Sequence, residues 1–457
     1  MPLIIVWLSE GKKMNMSDSC GSLFIGGGPA GIAPLVWAAR TGRLKLLAQT
    51  GLVVVEAGNC LGAGSIGDHA IGSDTLADTF LECVENSQDE RLSALRTHPS
   101  AEAVRRYSKG AAPLPVVAAF LETLGRTVQD IIEAAGGQVL LGHRASGLRR
   151  QRTGRWLATL QTVTGESLTV TASKAVLATG ATQRLDDLAS IPVAGSPLMP
   201  EFAGKLLLSG EVLGHGGLDA IRRYLRGTAA PKIAIVGGSH SAVASANRIL
   251  HGMPELSLAA GAVTILHRRP LRIFYPTPEA ALAEGYTDFG PQDVCAVTGR
   301  LYRLAGFRLD ARDLVMRALG VGGRPAEPRL ALHRIGTGDA DEQGRSLLRS
   351  ADVIVAALGY RPTAVPIEHA DGTPWRLAAG SGTAPLVNSA CEVLDDAQHA
   401  IPGLYGIGLA AGFVPQGAAG GEPSFVGQTN GLWLWQNPIG AMIVEALLQG
   451  ESGRVAA

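Results

Sequence analysis

Three glycines in the stretch SLFIGGGPAGIAPLVWAARTG have a spacing that could bind a phosphate. Gly26, Gly28 and Gly31 follow a short apolar run and precede a helical pattern. In a G-x-G-x-x-G motif the first glycine permits a tight turn, the second lets a pyrophosphate approach the backbone, and the third lets helix and strand pack closely. The phosphate then binds free N–H groups at the helix N-terminus, where the helix dipole favours negative charge.

An acidic residue completes this motif. The run LVVVE, Leu52–Glu56, predicts a second strand parallel to the first, and Glu56 stands 25 residues after Gly31. A carboxylate at this position accepts hydrogen bonds from the ribose hydroxyls of a dinucleotide. Because the form GGGPAG favours FAD over NAD, we predict an FAD site here. The cofactor contacts predicted beside the three glycines and Glu56 are Pro29, Ala30 and Ala57.

A second, weaker version of the motif begins at Gly237. The stretch KIAIVGGSHSAVASANRIL carries Ser239 and Ala242 where glycines would stand. The next strand ends on ILHRR, where an acidic residue would select NAD. Arginines there favour a 2′-phosphate and therefore NADPH, although they could also be two arginines that only face solvent. The predicted NADPH contacts are Gly237, Ser239, His240, Ser241, His267, Arg268 and Arg269.

The elements that must position these motifs alternate between strands and helices. Leu23–Ile25 and Leu52–Glu56 predict parallel strands joined by a helix over Ala30–Arg40. The segments GQVLL, RWLATLQTV and SLTVTA predict an antiparallel meander, and KAVLATG predicts another buried strand. Further helices are expected at about Val116–Leu124, Val128–Ala135, Ala242–Leu250 and Pro438–Leu448.

We therefore predict an α/β fold with two Rossmann-like dinucleotide-binding domains, the NAD(P)H-binding domain inserted in the FAD-binding domain. At 457 residues the chain is too long for one compact core. The predicted parts are a flexible N-terminal extension at 1–20, the first part of the FAD-binding domain at 21–200, a linker at 201–230, the NAD(P)H-binding domain at 231–362, and the returning segment of the FAD-binding domain with its C-terminal helix at 363–457.

Composition narrows the class of protein. Lys and Arg together number 40, as do Asp and Glu, so neither nucleic acid nor an anionic membrane surface is expected as a partner. The apolar run Pro2–Leu8 is too short to span a bilayer and lacks the leading positive residues of a signal peptide. Translation could begin at Met14 or Met16. The five cysteines form no C-x-x-C pair, which predicts free thiols in a reduced cytoplasm, and no metal site is expected.

Six motifs occur in the order typical of two-dinucleotide flavoproteins: GGGPAG, VVVEAG, VLATGA, VGGSHSA, HRR and ALGYRP. From Ser22 to Leu448 the chain resembles the class B flavin monooxygenases, which include N-hydroxylases of the ornithine and lysine type and Baeyer–Villiger enzymes. In that family two ATG-like strands, here Ala178–Gly180 and Ala357–Gly359, mark the crossings between the domains. The resemblance therefore implies that Thr179 and Gly180 lie near the cofactor.

Some residues depart from the patterns of these families. Ser239-His240 stand where Gly-Gln is common in the N-hydroxylases, and Leu208 stands where the Baeyer–Villiger pattern has a histidine. His215 resembles the linker histidine of the N-hydroxylases but could be an ordinary capping or solvated histidine. Cys60 has no partner thiol, and Leu409 replaces the usual flavin-binding Asp of the disulfide reductases. Both features argue against thiol chemistry.

The resemblance implies an FAD- and NADPH-dependent monooxygenase. NADPH would reduce FAD, and oxygen would add at flavin C4a to give a (hydro)peroxyflavin that performs Baeyer–Villiger oxygen insertion or N-hydroxylation. The stretches SIGDHAIGSDTLADTFLEC and PLPVVAAFLETLG resemble oxygenases that work beside polyketide synthases, which implies a polyketide intermediate on an acyl carrier protein. The alternatives are N-hydroxylation of a free amino acid or amine, an NADPH-linked flavin oxidase or reductase without oxygen insertion, and a flavin-binding sensor without turnover.

Two stretches are candidates for the surroundings of the flavin. His69 and Asp74 lie where the N-hydroxylases have a loop along the flavin ring, although Asp74 or Ser73 could instead be a helix N-cap. Residues 428–430 precede the last helix, whose start points at the flavin pyrimidine in this fold. We predict His69, Asp74 and Asn430 as catalytic residues, and Gln428 and Thr429 as flavin contacts.

Overall fold

The computed structural model describes residues 19–378, 385–409 and 411–449. Within these residues nine strands form a first sheet with a parallel core. Cys20–Ile25 lies between Leu52–Glu56 and Ser167–Leu177 and is parallel to both. The central strand is buried along its whole length, because both faces of a parallel sheet are covered. The predicted parallel pair is confirmed.

One continuous helix, Leu114–Ala134, leads to the strand Gln138–Leu141. The expectation of two helices broken near Gly125 is wrong. A Cβ on Gly125 would lie 2.1 Å from the Leu61 carbonyl oxygen, so this glycine lets the helix touch a neighbouring loop and does not end the helix. Gln138–Leu141 pairs parallel with Leu52–Glu56 and therefore belongs to the parallel core. The prediction that this segment is part of the antiparallel meander is wrong.

The antiparallel part of the first sheet comprises His143–Arg150, Trp156–Thr162 and the first half of Ser167–Leu177. Gly154 and Gly165 have positive φ angles of +80° and +87° in the turns between these strands, a conformation that glycine adopts readily. The segments SLTVTA and KAVLATG form one strand, which joins the antiparallel part to the parallel core. The remaining strands of this sheet are Ile367–Glu368, Glu392–Leu394 and Ala400–Gly406.

Five parallel strands form a second sheet within the described residues. Leu206–Leu208 is one of them and pairs with Val353–Ala356, so the stretch expected to be a linker, 201–230, contributes a strand to this sheet. Its apolar run LLL is buried or half-buried, as strand pairing in a covered sheet requires. The spatial order is Leu206–Leu208, Val353–Ala356, Ile233–Val236, Val263–His267 and Leu330–Arg334.

The chain crosses between the two sheets twice at one place. Ala181–Thr182 pairs antiparallel with Arg361–Pro362. Beside this pair, Thr179 Oγ1 donates to the Thr363 carbonyl at 2.7 Å, and Thr363 N donates to the Gly180 carbonyl at 3.0 Å. The strands of the second sheet all lie between these crossings in sequence. The second unit is therefore inserted in the first, which confirms the predicted fold class.

The last helical segment begins at Leu432, before the predicted Pro438. Leu432–Leu434 leads through a π-helical turn, Trp435–Ile439, into Gly440–Leu448. No helix among the described residues has the length and apolar character that a membrane span needs. The other helices are Pro29–Arg40, Leu44–Gln49, Ala77–Glu85, Glu90–Ala94, Pro99–Arg105, Ser209–Leu213, Gly217–Tyr224, His240–Gly252, Pro278–Ala283, Leu309–Leu319 and Gly338–Ser350.

Candidate functional site

The first glycine motif, Gly26–Gly31, forms a cradle that we call the first cradle. Gly26 has a φ of +105°, and a Cβ on it would lie 2.3 Å from the Ala178 carbonyl oxygen. A Cβ on Gly31 would lie 2.0 Å from the Gly26 carbonyl oxygen, so packing requires both glycines. Gly28 differs, because a Cβ there would meet nothing closer than 3.7 Å. No side chain caps the helix that starts here, which leaves its first N–H groups for an anion.

Glu56 fastens the first cradle to the end of the next strand. One of its carboxylate oxygens accepts a hydrogen bond from Gly27 N at 2.6 Å, and the other accepts one from Gly58 N at 2.7 Å. Ala57 lies between Glu56 and Gly58 in the sequence. Each carboxylate oxygen can accept a further hydrogen bond. Glu56 can therefore hold the glycine turn and still bind ribose hydroxyls, so these residues fit a dinucleotide.

The segment before the last helix approaches the first cradle. A Cβ on Gly408 would lie 2.6 Å from the Ala30 Cβ, so this loop touches the start of the motif helix. With its amide oriented to satisfy its hydrogen bonds, Asn430 donates to the Gly408 carbonyl at 3.2 Å. Asn430 is exposed, and so is Leu409. The predicted catalytic Asn430 thus stands beside the first cradle.

Residues 411–431 form a loop that we call the return loop. Thr429 is buried in it and bonds the Phe413 carbonyl through both its backbone N, at 2.8 Å, and its Oγ1, at 3.2 Å. Gln428 packs on Gly412, where a Cβ would lie 2.4 Å from the amide of Gln428. Both side chains therefore make contacts within the return loop. Their assignment as flavin contacts stays a prediction.

The second glycine motif, Gly237–Ala242, repeats this geometry and is called the second cradle. Gly237 has a φ of +131°, and a Cβ on it would lie 2.3 Å from the Ala357 carbonyl oxygen. Ser239 is the N-cap residue of His240–Gly252, and no side chain caps this helix. Ala242 is buried in the place of the third glycine. The second cradle also offers free N–H groups to an anion.

Basic side chains collect where two neighbouring strands of the second sheet end. His267 and Arg334 stand opposite each other in register, and Arg334 and Arg268 are exposed. Arg269 Nη1 instead donates to the Val426 carbonyl of the return loop at 2.9 Å. His267 is buried, and burial lowers its pKa. The sequence motif singled out Arg268 and Arg269 but missed Arg334, whose only signal is its place at the end of the next strand.

A cavity of about 540 Å³ lies between the first unit and the second. We call it the interdomain cavity. It is bounded by the segment 70–74, by one face of His240–Gly252, which includes Ser241, and by the start of Leu309–Leu319. Its size is that of a site for a small molecule. The charged and titratable groups on its wall are Asp74, His240, Arg248, His251, Arg308 and Asp310.

Asp74 and His240 face each other across this cavity. Asp74 Oδ2 lies 4.0 Å from His240 Nε2, which is buried without a hydrogen-bond partner. Burial lowers the pKa of His240, Asp74 opposes that shift, and Arg308 adds to it. Asp74 lies in the strand Gly72–Leu76, whose last residue is the N-cap of the next helix. The alternative that Asp74 or Ser73 is the N-cap is therefore wrong.

Two guanidinium groups line the interdomain cavity and have no carboxylate within 4.0 Å in the described part of the chain. Arg248 donates to the carbonyls of Ala70, at 2.5 Å, and of residues 213 and 214, so it joins segments of both units. Arg308 donates to the Arg303 carbonyl, and burial lowers the pKa of Arg308. A charge removed from water needs a counter-ion, so Arg308 suits an anionic ligand. Neither arginine belongs to a motif, and no sequence signal identifies them.

His69 lies outside this group of charges. Its backbone forms an isolated bridge with Gly214, and its Nδ1 lies 3.2 Å from the Ser65 carbonyl. His215 N donates to the Asp68 carbonyl at 3.1 Å, so the predicted linker histidine sits against the same segment. The three predicted catalytic residues therefore occupy separate surroundings: Asp74 the cavity, Asn430 the first cradle, and His69 the junction between segments 65–69 and 214–215.

The cysteines are free thiols and four of them are buried. Burial raises the pKa of Cys83 and of Cys391 to about 12 each, which disfavours thiolates. Among the described residues no group of three or more His, Cys, Asp or Glu side chains could hold a metal ion.

Solved structures of three hydroxylases have the same fold. The ornithine N-hydroxylase of Kutzneria sp. 744, solved with reduced FAD, NADP⁺ and L-ornithine, has a TM-score of 0.51 at 16% identity and covers 94% of this chain and 99% of its own. The ornithine hydroxylase of Pseudomonas aeruginosa has a TM-score of 0.52 at 14% identity, with 93% and 98% covered. The FAD-bound cadaverine monooxygenase of Erwinia amylovora has a TM-score of 0.50 at 14% identity, with 94% and 95% covered. At these identities the likeness is one of fold. No family model matches the chain.

Two glycine cradles on two sheets, with a cavity beside the second cradle, define a two-dinucleotide flavoprotein, and the chain belongs to the class B flavin-dependent monooxygenases. Sequence similarity to one named hydroxylase shows this membership. The chain is 34% identical over 453 residues to the CMP-5′-(3-aminopropyl)phosphonate hydroxylase of Streptomyces rubellomurinus, with 94% of this chain and 98% of that protein covered. The resemblance drawn from the six motifs is thereby confirmed.

Proposed function

We propose that this protein hydroxylates the nitrogen of a small primary amine that also carries an anionic group, using FAD, NADPH and dioxygen. The observation that carries the proposal is the interdomain cavity beside the second cradle, where Arg308 has no carboxylate within 4.0 Å among the described residues. The relatives support an amine, since they are named for ornithine, cadaverine and CMP-5′-(3-aminopropyl)phosphonate.

FAD fits the first cradle. Its pyrophosphate would bind the N–H groups after Gly28, because the space beside that residue is open and no side chain caps the helix. Its ribose would bind Glu56, and the Gly408–Asn430 contact would border the ribityl side. When bound, FAD supplies the redox chemistry that activates dioxygen. The chain's own residues hold and orient it and keep water from the reacting nitrogen.

NADPH fits the second cradle. Its pyrophosphate would bind the first turn of His240–Gly252, and its 2′-phosphate would lie at the exposed Arg268 and Arg334. The cradle geometry supports this assignment, since Gly237 at its positive φ lets the backbone turn as Gly26 does in the first cradle.

An anionic group on the substrate would pair with Arg308. A half-buried guanidinium with one backbone acceptor is stabilised by a charged oxygen, and carboxylate and phosphonate oxygens both match its geometry. The amine end would face Asp74 and His240, which also line this cavity. Such a substrate has a cationic and an anionic end, which corresponds to the mixed charges of the cavity.

A carbon substrate is the second candidate, either by Baeyer–Villiger insertion or on a polyketide chain held by an acyl carrier protein. The relatives' names give it no support, because all three substrates that they print are amines. A flavin oxidase or reductase differs from these two kinds of oxygenase because it inserts no oxygen into a substrate. It passes the electrons of NADPH to dioxygen, which gives peroxide, or to another acceptor.

The test supplies the FAD-loaded protein with NADPH, dioxygen and, in turn, CMP-5′-(3-aminopropyl)phosphonate, ornithine or cadaverine. We expect a hydroxylamine product in amounts matching NADPH consumed for an anion-bearing amine, and less from cadaverine, which has no anionic group. NADPH consumption matched by peroxide with every amine would contradict the proposal and favour an oxidase.

Arg308→Gln isolates the anionic end. A charge-assisted hydrogen bond contributes about 1.5–3 kcal/mol, so we expect KM for the anion-bearing amine to rise by about 10- to 100-fold while KM for cadaverine changes little. Steady-state kinetics with both amines measures the difference. An equal change for cadaverine would show that Arg308 supports the cavity walls and does not bind an anion.

A further inference from the structure

His240 has surroundings that binding of a dinucleotide does not require. A cofactor phosphate at the second cradle would use the backbone N–H groups of the helix start. The imidazole of His240 instead extends into the interdomain cavity, where its Nε2 is buried and has no hydrogen-bond partner. A buried polar atom without a partner is uncommon in a native protein and calls for a ligand or a reaction.

The charges around this ring are mixed. Asp74 Oδ2 lies 4.0 Å from Nε2, Arg308 faces the ring from the segment before Leu309–Leu319, and the Phe307 ring packs 5.1 Å away. Arg248 and Asp310 stand further along the cavity wall. Burial lowers the pKa of His240, with Asp74 opposing, so the imidazole is neutral near pH 7 and can accept a proton.

Hydroxylation of an amine requires a proton acceptor. A primary ammonium group resembles that of lysine, with a pKa of about 10.4, so the substrate arrives protonated near pH 7. Only the neutral amine has the lone pair that can attack an oxygen atom. A neutral imidazole within the cavity is placed to take the proton, and a carboxylate 4.0 Å away stabilises the imidazolium that results.

Resting on the function proposed above, we propose that His240 is the general base that takes a proton from the substrate ammonium in the interdomain cavity, with Asp74 stabilising the protonated ring. In this step the N–H bond of R–NH₃⁺ breaks, its proton bonds to Nε2, and R–NH₂ is left. The overall reaction, R–NH₃⁺ + O₂ + NADPH → R–NHOH + NADP⁺ + H₂O, needs no further acid, because the proton held by His240 is returned when water forms.

His240→Gln tests the assignment, since glutamine is the residue common at this position in the N-hydroxylases that the sequence resembles, and it cannot act as a base. With the amine that the wild type hydroxylates fastest, we expect kcat/KM near pH 7 to fall by about 100-fold or more. The remaining activity should rise tenfold per pH unit toward the pKa of the free amine, because only amine already neutral in solution then reacts. The wild type should instead be level near neutrality and lose activity only as acid protonates its imidazole.

The control is His399→Gln, which changes an exposed histidine that does not line the interdomain cavity and whose Nδ1 lies 3.8 Å from Asp395 Oδ2. Its pH profile should coincide with that of the wild type. A loss in His240→Gln that is equal at every pH and accompanied by a higher KM for NADPH would overturn the proposal and assign His240 to the dinucleotide. Wild-type activity and pH profile in His240→Gln would also overturn it.

A second measurement does not depend on turnover. In FAD-loaded protein with NADP⁺ and labelled histidine, the NMR resonance missing from His240→Gln reports this ring alone. We expect it to titrate below the ordinary value of 6.5 and to shift when the anion-bearing amine is added. A wild type that hydroxylates no amine would refute the proposed function, yet a shift in this resonance would still support a ligand at His240. No shift with any of the amines would overturn the assignment.

Discussion

At the scale of single residues, the first cradle contains glycines with two different functions. Gly26 and Gly31 exclude a Cβ because it would lie within about 2.3 Å of a carbonyl oxygen of the protein itself. Gly28 has room for a Cβ in the protein alone. The space beside Gly28 is the space that we propose a pyrophosphate fills, which would give this glycine a role in binding, whereas the other two allow the chain to pack.

Gly28→Ala should therefore give a folded protein that binds FAD at least about tenfold more weakly, since the methyl group occupies the ligand's space. Gly31→Ala should lower the free energy of unfolding by about 1–3 kcal/mol or more, because its methyl group collides with the Gly26 carbonyl. Flavin absorbance after gel filtration and thermal unfolding of the apoprotein separate the two effects. Equal thermal destabilisation in both variants would refute this division of roles.

At the scale of elements, parallel strands place side chains that are distant in sequence at one edge of the sheet. Val263–His267 and Leu330–Arg334 run side by side, so Arg334 joins Arg268 although 66 residues separate them. Arg269, adjacent in sequence, is turned to the return loop through the Val426 carbonyl. The pair expected to meet the 2′-phosphate is therefore Arg268 and Arg334.

Arg268→Ala and Arg334→Ala should each weaken binding of 2′,5′-ADP by about tenfold or more and leave 5′-AMP binding almost unchanged, because only the former carries the 2′-phosphate. Arg269→Ala is the matched control and should affect the two ligands equally. Isothermal titration calorimetry measures the dissociation constants of both ligands for the wild type and for each variant. If Arg269→Ala were the variant selective for 2′,5′-ADP, the original motif assignment would be right and this one wrong.

A buried carboxylate joins a helix to a strand in the second unit. Glu327 accepts hydrogen bonds from Arg329 at 2.7 and 2.8 Å and from Arg317 at 3.1 Å, and its side chain is 3% exposed. The bond from Arg329 lowers the pKa of Glu327 to about 2, from an ordinary 4.5. Since the folded pKa is depressed, the stabilisation is complete above the ordinary value and is lost as pH falls toward 2.

Glu327→Gln should lower the free energy of unfolding near pH 7 by at most about 3 kcal/mol. The difference from the wild type should shrink between about pH 5 and pH 2, because both proteins then carry a neutral side chain. Denaturant unfolding across this range measures it. Glu255→Gln, at an exposed ion pair with Arg222, is the control, and a difference for Glu327→Gln that did not change with pH would contradict this account.

At the scale of the whole molecule, the return loop of the first unit is clamped onto the second. Glu422 is buried and accepts from Leu304 N and Ala305 N at 2.8–3.1 Å. In the opposite direction, Arg303 donates to the Ala419 and Gly420 carbonyls at 3.1 and 3.0 Å. These contacts stand far from the two crossings in sequence, so the two units are held together at a second place.

Glu422→Gln should lower the free energy of unfolding by about 1–3 kcal/mol, because the amide NH₂ cannot accept the bonds that the carboxylate accepts and is buried against N–H donors. Thermal unfolding measures the loss. Glu445→Gln makes the same chemical change at an exposed pair with Arg43 and should have little effect. The clamp would be dispensable if both variants melted at the same temperature.

Features of this protein that depend on residues close together in the sequence could be predicted, and features that depend on contacts between distant residues could not. The two cradles were predictable, because phosphate binding needs glycines at fixed spacing between a strand and a helix. The single helix that runs through Gly125 was not predicted, because the contact of Gly125 with Leu61 arises only in the folded chain. Asp74 and Arg308 are 234 residues apart and meet in a cavity that exists only once the two units pack, so the charge pattern of the site could not be predicted.

The two crossings place the ends of the inserted unit next to each other. Because Ala181–Thr182 pairs with Arg361–Pro362, the polypeptide leaves the first sheet and rejoins it at one spot. A gene segment that encodes such an insert can be exchanged by recombination while the remaining halves of the host sheet keep their spacing. The second cradle, the basic strand ends and one wall of the interdomain cavity travel together in that segment, so the nucleotide preference and part of the substrate pocket can be inherited as one piece.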